Sequence, residues 1–147
     1  MKNKDLEQRQ RQAVVEEAKT WLRTPYHHMA QVKGAGVDCV TFLTAVYRIV
    51  GLVPEIAIEY YPQHWHLHRG DELYLGGLEK YARLVEEPTV GNIVIYKFGR
   101  CFSHGGIVLD WPMIIHAYAS AGMVTYGEGD LGELAGREHR FYSLWGK

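Results

Sequence analysis

Apolar positions along this chain follow two different periods, and the change between them divides it. In the first half the spacing is helical. Val40, Leu43, Tyr47 and Val50 fall at i, i+3, i+7 and i+10, which predicts a buried helix over 39–50, stopped by Gly51 and Pro54. Residues 5–23 read as an earlier helix, polar at first, with Val14, Ala18, Trp21 and Leu22 as a late apolar stripe. Thr24-Pro25 ends it, because proline cannot extend a helix. A third amphipathic helix is expected over 71–86, with Tyr74, Leu78, Tyr81 and Val85 on one side, although Gly76-Gly77 weakens it. Residues 54–70 between them are irregular and rich in aromatics and histidine. The second half changes to short runs rich in β-branched and aromatic residues: Ile93 to Phe98, Gly105 to Leu109, Met113 to Tyr118, Met123 to Tyr126 and Arg140 to Trp145, separated by Gly, Pro and Asp. Short connections favour antiparallel pairing, and helices followed by strands predict an α+β fold.

The 147 residues contain no repeat, linker or low-complexity stretch, so one domain over 1–147 is expected, large enough to bury roughly two thirds of its unfolded surface. A net charge of −1 gives no field pointing to nucleic acid or an anionic membrane. The run from Cys39 to Val53 is apolar but holds Arg48 and is too short to span a bilayer. Met1 to Glu7 lacks the apolar stretch of a signal peptide, so synthesis in the cytoplasm without a leader is the expectation. Cys39 and Cys101 do not make a disulfide framework, and both are expected to be reduced.

Candidate chemistry begins at the glycine turn ahead of the central helix. Gly34, Gly36 and Asp38 place Cys39 in the first helical turn, where free N–H groups and the positive end of the dipole favour an anion. A thiolate at neutral pH is the expectation. A strand is expected to start immediately after His104. The next strand carries His116, and a hairpin through Asp110-Trp111-Pro112 would bring the two histidines together. Cysteine as nucleophile, one imidazole as base and acid, and a further polar group to orient it are the parts of nucleophilic acyl transfer. His64, His66 and His68 stand at alternate positions, as metal ligands on one strand face would. Pro62 and Gly70 bracket that run, so a loop bordering a groove is the stronger reading, and no metal or other cofactor is expected. Cys101 reads as a buried thiol.

Four stretches together resemble the NlpC/P60 family of cysteine peptidases, in the short form found in phage and prophage tail regions: Thr24-Pro25-Tyr26, Gly36-Val37-Asp38-Cys39, Ser103-His104-Gly105-Gly106-Ile107-Val108, and Ile115-His116-Ala117-Tyr118. The resemblance runs from about Trp21 to Tyr126. It implies a papain-like core, a nucleophile-bearing helix packed on an antiparallel sheet that carries the histidines. It also implies cleavage of peptidoglycan peptides, typically at the bond from γ-linked D-glutamate to a diamino acid. By motif, Cys39 is the nucleophile, His104 the base and acid, and His116 its orienting partner. Tyr26 matches the tyrosine beside the cysteine that helps polarise the carbonyl, and the Cys39 backbone N–H would be another oxyanion donor. The segment 59–74 is expected to wall the substrate groove.

The chain departs from the family pattern in three places. Val40-Thr41 follows the cysteine where many members have small residues such as Ser-Gly. Gly91-Asn92 stands where Gly-Asp is usual. Asp38, typical of the family, opposes thiolate formation by its charge, so the dipole and a protonated His104 must outweigh it. No appended wall-binding module is expected, and targeting is expected from elsewhere, such as a tail assembly. Three other readings stand beside the peptidase: acyl transfer to an amine or lipid at the same Cys-His site, a non-catalytic tail or wall module, and a zinc hydrolase built on the three alternating histidines.

Overall fold

A computed structural model of the chain describes residues 2–56 and 73–146. Helix α1 spans Lys2–Lys19 and α2 spans Cys39–Val50, with a two-residue ladder between them, β1 (Gln31–Val32) and β2 (Gly36–Val37). After α3 (Leu73–Leu78) come β3 (Arg83–Val85), β4 (Ile93–Phe98), β5 (Cys101–Asp110), β6 (Met113–Tyr118), β7 (Met123–Glu128) and β8 (His139–Ser143). The last six form one antiparallel sheet in the order β3-β8-β4-β5-β6-β7. The α+β expectation is met.

Alternation along the strands sends side chains to two faces. On one face Ile93, Ile95, Ile107, Ile115 and Ala117 bury against Phe42, Ala45 and Val46 of α2 and Val14, Ala18 and Trp21 of the α1 region. Each fully buried large aliphatic or aromatic side chain contributes about 1.5–3 kcal/mol by leaving water, so this face fixes α2 on the sheet. Val94, Tyr96, Val108 and Ile114 form a second cluster under Leu134.

The central helix keeps its expected limits for local reasons. Asp38 is its N-cap, accepting from Val40 and Thr41 N–H, while the Thr41 hydroxyl accepts from Asp38 N–H, which completes a capping box. The Val40-Thr41 departure is thus explained in part: Thr41 is a capping residue. Gly51, at φ +91°, closes the other end with its N–H on the Arg48 and Tyr47 carbonyls. In the Gly91-Asn92 departure, Asn92 Oδ1 accepts from Arg11 at 2.9 Å and ties α1 to the start of β4.

Elsewhere the expected boundaries shift. Helix α1 ends at Lys19, short of Arg23, and the chain descends through tight turns to Arg23 in the left-handed region at φ +72°. The third helix is six residues rather than the stretch 71–86. Two glycines weaken it, and β8 offers Arg83, Leu84 and Val85 strand partners in Ser143, Tyr142 and Phe141. The strand expected to begin after His104 begins at Cys101, so His104 lies inside it. β7 runs on to Glu128, and β8 starts at His139 and stops at Ser143. The run His64, His66, His68 and nearly all of 59–74 lie outside the described residues. No helix of the described residues is long and apolar enough to cross a membrane.

Candidate active site

Three backbone devices converge on the start of α2. The first is a splice of residues 23–27 between two strands. Arg23 N–H donates to Val124 O, Val124 N–H to Thr24 O and Tyr26 N–H to Gly122 O, which lays this segment along β7. On its other side Val37 N–H donates to Pro25 O and His27 N–H to Val37 O. Tyr26 is therefore bridged to Val37, two residues before Cys39.

The second device is a bulge in β5. Opposite β4 the register passes from Tyr96↔His104 to Lys97↔Phe102, so Ser103 is an extra residue. Strict alternation would put Phe102 and His104 on one face. The bulge lets Phe102 bury in the helix-side core while His104 shares the other face with Tyr96.

The third is a glycine slot for His116. A Cβ at Gly106 on β5 would stand 3.0 Å from His116 Cβ, and one at Gly127 on β7 would stand 2.8 Å from His116 Nε2. The imidazole fills the space a side chain at Gly127 would need and its Cβ the space at Gly106, and the ring stacks on Tyr118 at 4.6 Å and 15°. Gly106 stands in the sequence only as part of the Ser103 to Val108 motif and Gly127 goes unnamed; a glycine inside a strand run is the signal that marks such close approaches.

The side chains then fall into two linked groups. The Cys39 thiol donates to Ser103 O at 3.4 Å, and the Gly105 N–H and the Tyr26 hydroxyl act on the sulfur in the direction that favours a thiolate. The sulfur thus rests on the backbone next to His104. His104 Nε2 lies 2.8 Å from His116 Nδ1. The hairpin expectation holds, since β5 and β6 are adjacent and antiparallel. Among the described residues no hydrogen bond runs from the sulfur to an imidazole. Cys39, His104 and His116 are 5%, 8% and 2% exposed. Cys101 is buried and is not part of a disulfide.

Protonation differs from the sequence expectation of a thiolate. Burial first, and then the Asp38 carboxylate, push the Cys39 thiol up to about 12, outweighing the helix N-terminus and the donors around it. His104 is held well below 6.5 by burial, His116 and Arg137, so the protonated His104 invoked against Asp38 is absent at neutral pH. Burial also takes His116 down to about 4 and raises the Tyr26 phenol. The resting site is a neutral thiol, a neutral phenol and two neutral imidazoles. Among the described residues no three His, Cys, Asp or Glu side chains are arranged to hold a metal ion.

No family model matches the sequence, and no curated protein matches it. Solved structures do. The NlpC/p60 domain of the peptidoglycan hydrolase SagA superposes with a TM-score of 0.61 at 20% identity, over 88% of this chain and 96% of that one. The fold is that of the NlpC/P60 domains. The peptidoglycan hydrolase RipB from Mycobacterium tuberculosis gives 0.62 at 17% identity, over 93% of this chain and 65% of that one. NlpC1 from Trichomonas vaginalis gives 0.62 at 16%, over 90% of this chain. The chain spans 42% of that longer protein. The papain-like arrangement of the NlpC/P60 fold accounts for the meeting of a helix N-terminus with two sheet-borne histidines.

Proposed function

We propose that the chain is a cysteine peptidase acting on peptidoglycan peptides, at the bond between γ-linked D-glutamate and a diamino acid. The observation that carries the reading is the bond of the Cys39 sulfur to the backbone next to His104 at Ser103 O, with His116 bonded to His104 and the Tyr26 hydroxyl acting on the sulfur. The naming of SagA and RipB as peptidoglycan hydrolases supports the substrate class.

The chemistry starts from the neutral pair. His104 Nε2 is engaged by His116 Nδ1, and among the described residues His104 Nδ1 has no hydrogen-bond partner. For that nitrogen to act as a base, His104 carries its proton on Nε2 and donates it to His116. The S–H turns from Ser103 O to His104 Nδ1, and the sulfur attacks the amide carbonyl as its proton moves to the ring. Charge develops on the carbonyl oxygen, where the Cys39 N–H and the Tyr26 hydroxyl act as donors. His104 then gives its proton to the departing amine, leaving a thioester. Water, deprotonated by His104, adds to the thioester, and collapse releases the γ-carboxylate and restores the thiol. Starting from a thiol rather than a thiolate keeps net charge out of a buried site until a carbonyl is present to take it.

The test is turnover of an L-Ala-γ-D-Glu-diaminopimelate peptide, read as release of the diamino acid, by wild type and Cys39→Ala. Comparable release by the variant refutes the mechanism. Product carrying an added amine in place of water would redirect the same site to acyl transfer.

A further inference from the structure

The loop between β7 and β8 carries a preorganised cation that the reaction steps do not use. The Arg137 guanidinium lies 3.7 Å from the centroid of the Phe98 ring, and Phe98 meets His104 edge-on at 5.8 Å. Arg137 Nε donates to Glu133 O at 2.6 Å and Nη1 to Lys97 O at 3.2 Å. Stacking and two carbonyl bonds fix the plane of the group and leave Nη2 without a hydrogen-bond partner among the described residues. None of the ion pairs among those residues includes Arg137. The carboxylate on the same loop, Glu133, accepts through Oε1 from the Tyr118 and Ser120 hydroxyls and is also stabilised by the Arg137 charge, without an ion-pair contact among the described residues. Tyr118 in turn stands 5.6 Å from His104.

We propose that Arg137 binds a carboxylate of the substrate beside the scissile bond and is a specificity-determining residue of this site. The proposal rests on the peptidase reading. A guanidinium stacked on an aromatic face, with donors left over, is suited to bidentate capture of a carboxylate, and its desolvated side faces the ring on which the base packs. A bound carboxylate would have a second effect. The positive charge now opposes protonation of His104, and an anion placed on Arg137 cancels that opposition when the base must take up its proton. A substrate lacking the anion would lose both the contact and the help.

The experiment compares an L-Ala-γ-D-Glu-diaminopimelate peptide with its α-amide, D-isoglutaminyl, counterpart. Binding to Cys39→Ala is measured by calorimetry and turnover by the wild-type enzyme. The carboxylate peptide is expected to bind and react at least ~10-fold better than the amide. Adding Arg137→Gln erases the preference by weakening the carboxylate peptide alone, and Arg137→Lys restores part of it. The ratio does not depend on the active fraction, so a loop merely loosened by the substitution leaves it unchanged. Equal affinity for the two peptides, no affinity for either, or an equal loss on both with Arg137→Gln overturns the proposal. Continued cleavage with the preference intact in Arg137→Gln overturns it while the peptidase stands. Binding with the predicted preference but no wild-type turnover refutes the peptidase instead.

Discussion

His104 Nε2 and His116 Nδ1 lie 2.8 Å apart across neighbouring antiparallel strands, both rings buried. Two neutral imidazoles in contact share one proton between them, so the partner ring decides which nitrogen of His104 is left bare. That makes the placement of His116 as important as its identity.

Gly127→Ala tests this placement. The new methyl would arrive 2.8 Å from His116 Nε2, so the ring must shift from the position in which it meets His104. Displacement on the scale of 1 Å lowers kcat on the order of 100-fold. Circular dichroism should stay close to wild type and KM should change little; unchanged kcat would show that the ring does not need its slot.

Cys39→Ala should lower kcat at least about 1000-fold, as loss of a nucleophile does, with little change in stability. Tyr26→Phe should be milder, on the order of 100-fold in kcat with KM retained, because it removes one oxyanion donor. Steady-state kinetics on the same peptide separate the two.

Asp38→Asn separates capping from charge. Asparagine caps a helix about as well as aspartate, so stability should fall by only about 1 kcal/mol, the worth of the acceptor lost to Met29 N–H. Removing the carboxylate's charge should bring the Cys39 thiol down from about 12. Alkylation by iodoacetamide, slower than a free thiol in wild type at neutral pH, should then speed up. A slower reaction in the variant would mean that the carboxylate does not oppose ionisation.

Stability should decline in mild acid. The unfolded chain binds protons at histidine near pH 6.5, whereas folded His116 resists until about 4. Between those values the unfolded state holds more protons, so stability is full above pH 6.5 and is lost as pH falls. From pH 7 to pH 5 His116 alone accounts for about 2 kcal/mol, and His104 adds in the same direction. Urea midpoints for wild type and His116→Gln at both pH values measure it; equal pH slopes would remove His116 as the source.

What the sequence revealed was what is encoded locally. Asp38 and Gly51 bracket α2, and the hairpin joining His104 to His116 follows from a short turn between two β-rich runs. What it hid depends on partners distant in the chain. Phe102 and His104 point to opposite faces only because Ser103 is an extra residue against β4. Residues 83–85 pair with a strand nearly sixty residues later, which no helical period reports. The state of the thiol was misjudged because helix position is visible in sequence and burial is not. Arg137 lies on a loop, and its meaning comes from Phe98 beneath it.

The splice of residues 23–26 onto β7 has a consequence for life in solution. An outermost strand offers unpaired amides to any passing chain, and β7 is one end of this sheet. Arg23, Thr24 and Tyr26 occupy part of that ladder themselves. A substitution that frees them would therefore expose a sticky margin at the same moment as it removes the phenol from the sulfur, so aggregation and loss of catalysis should arise together.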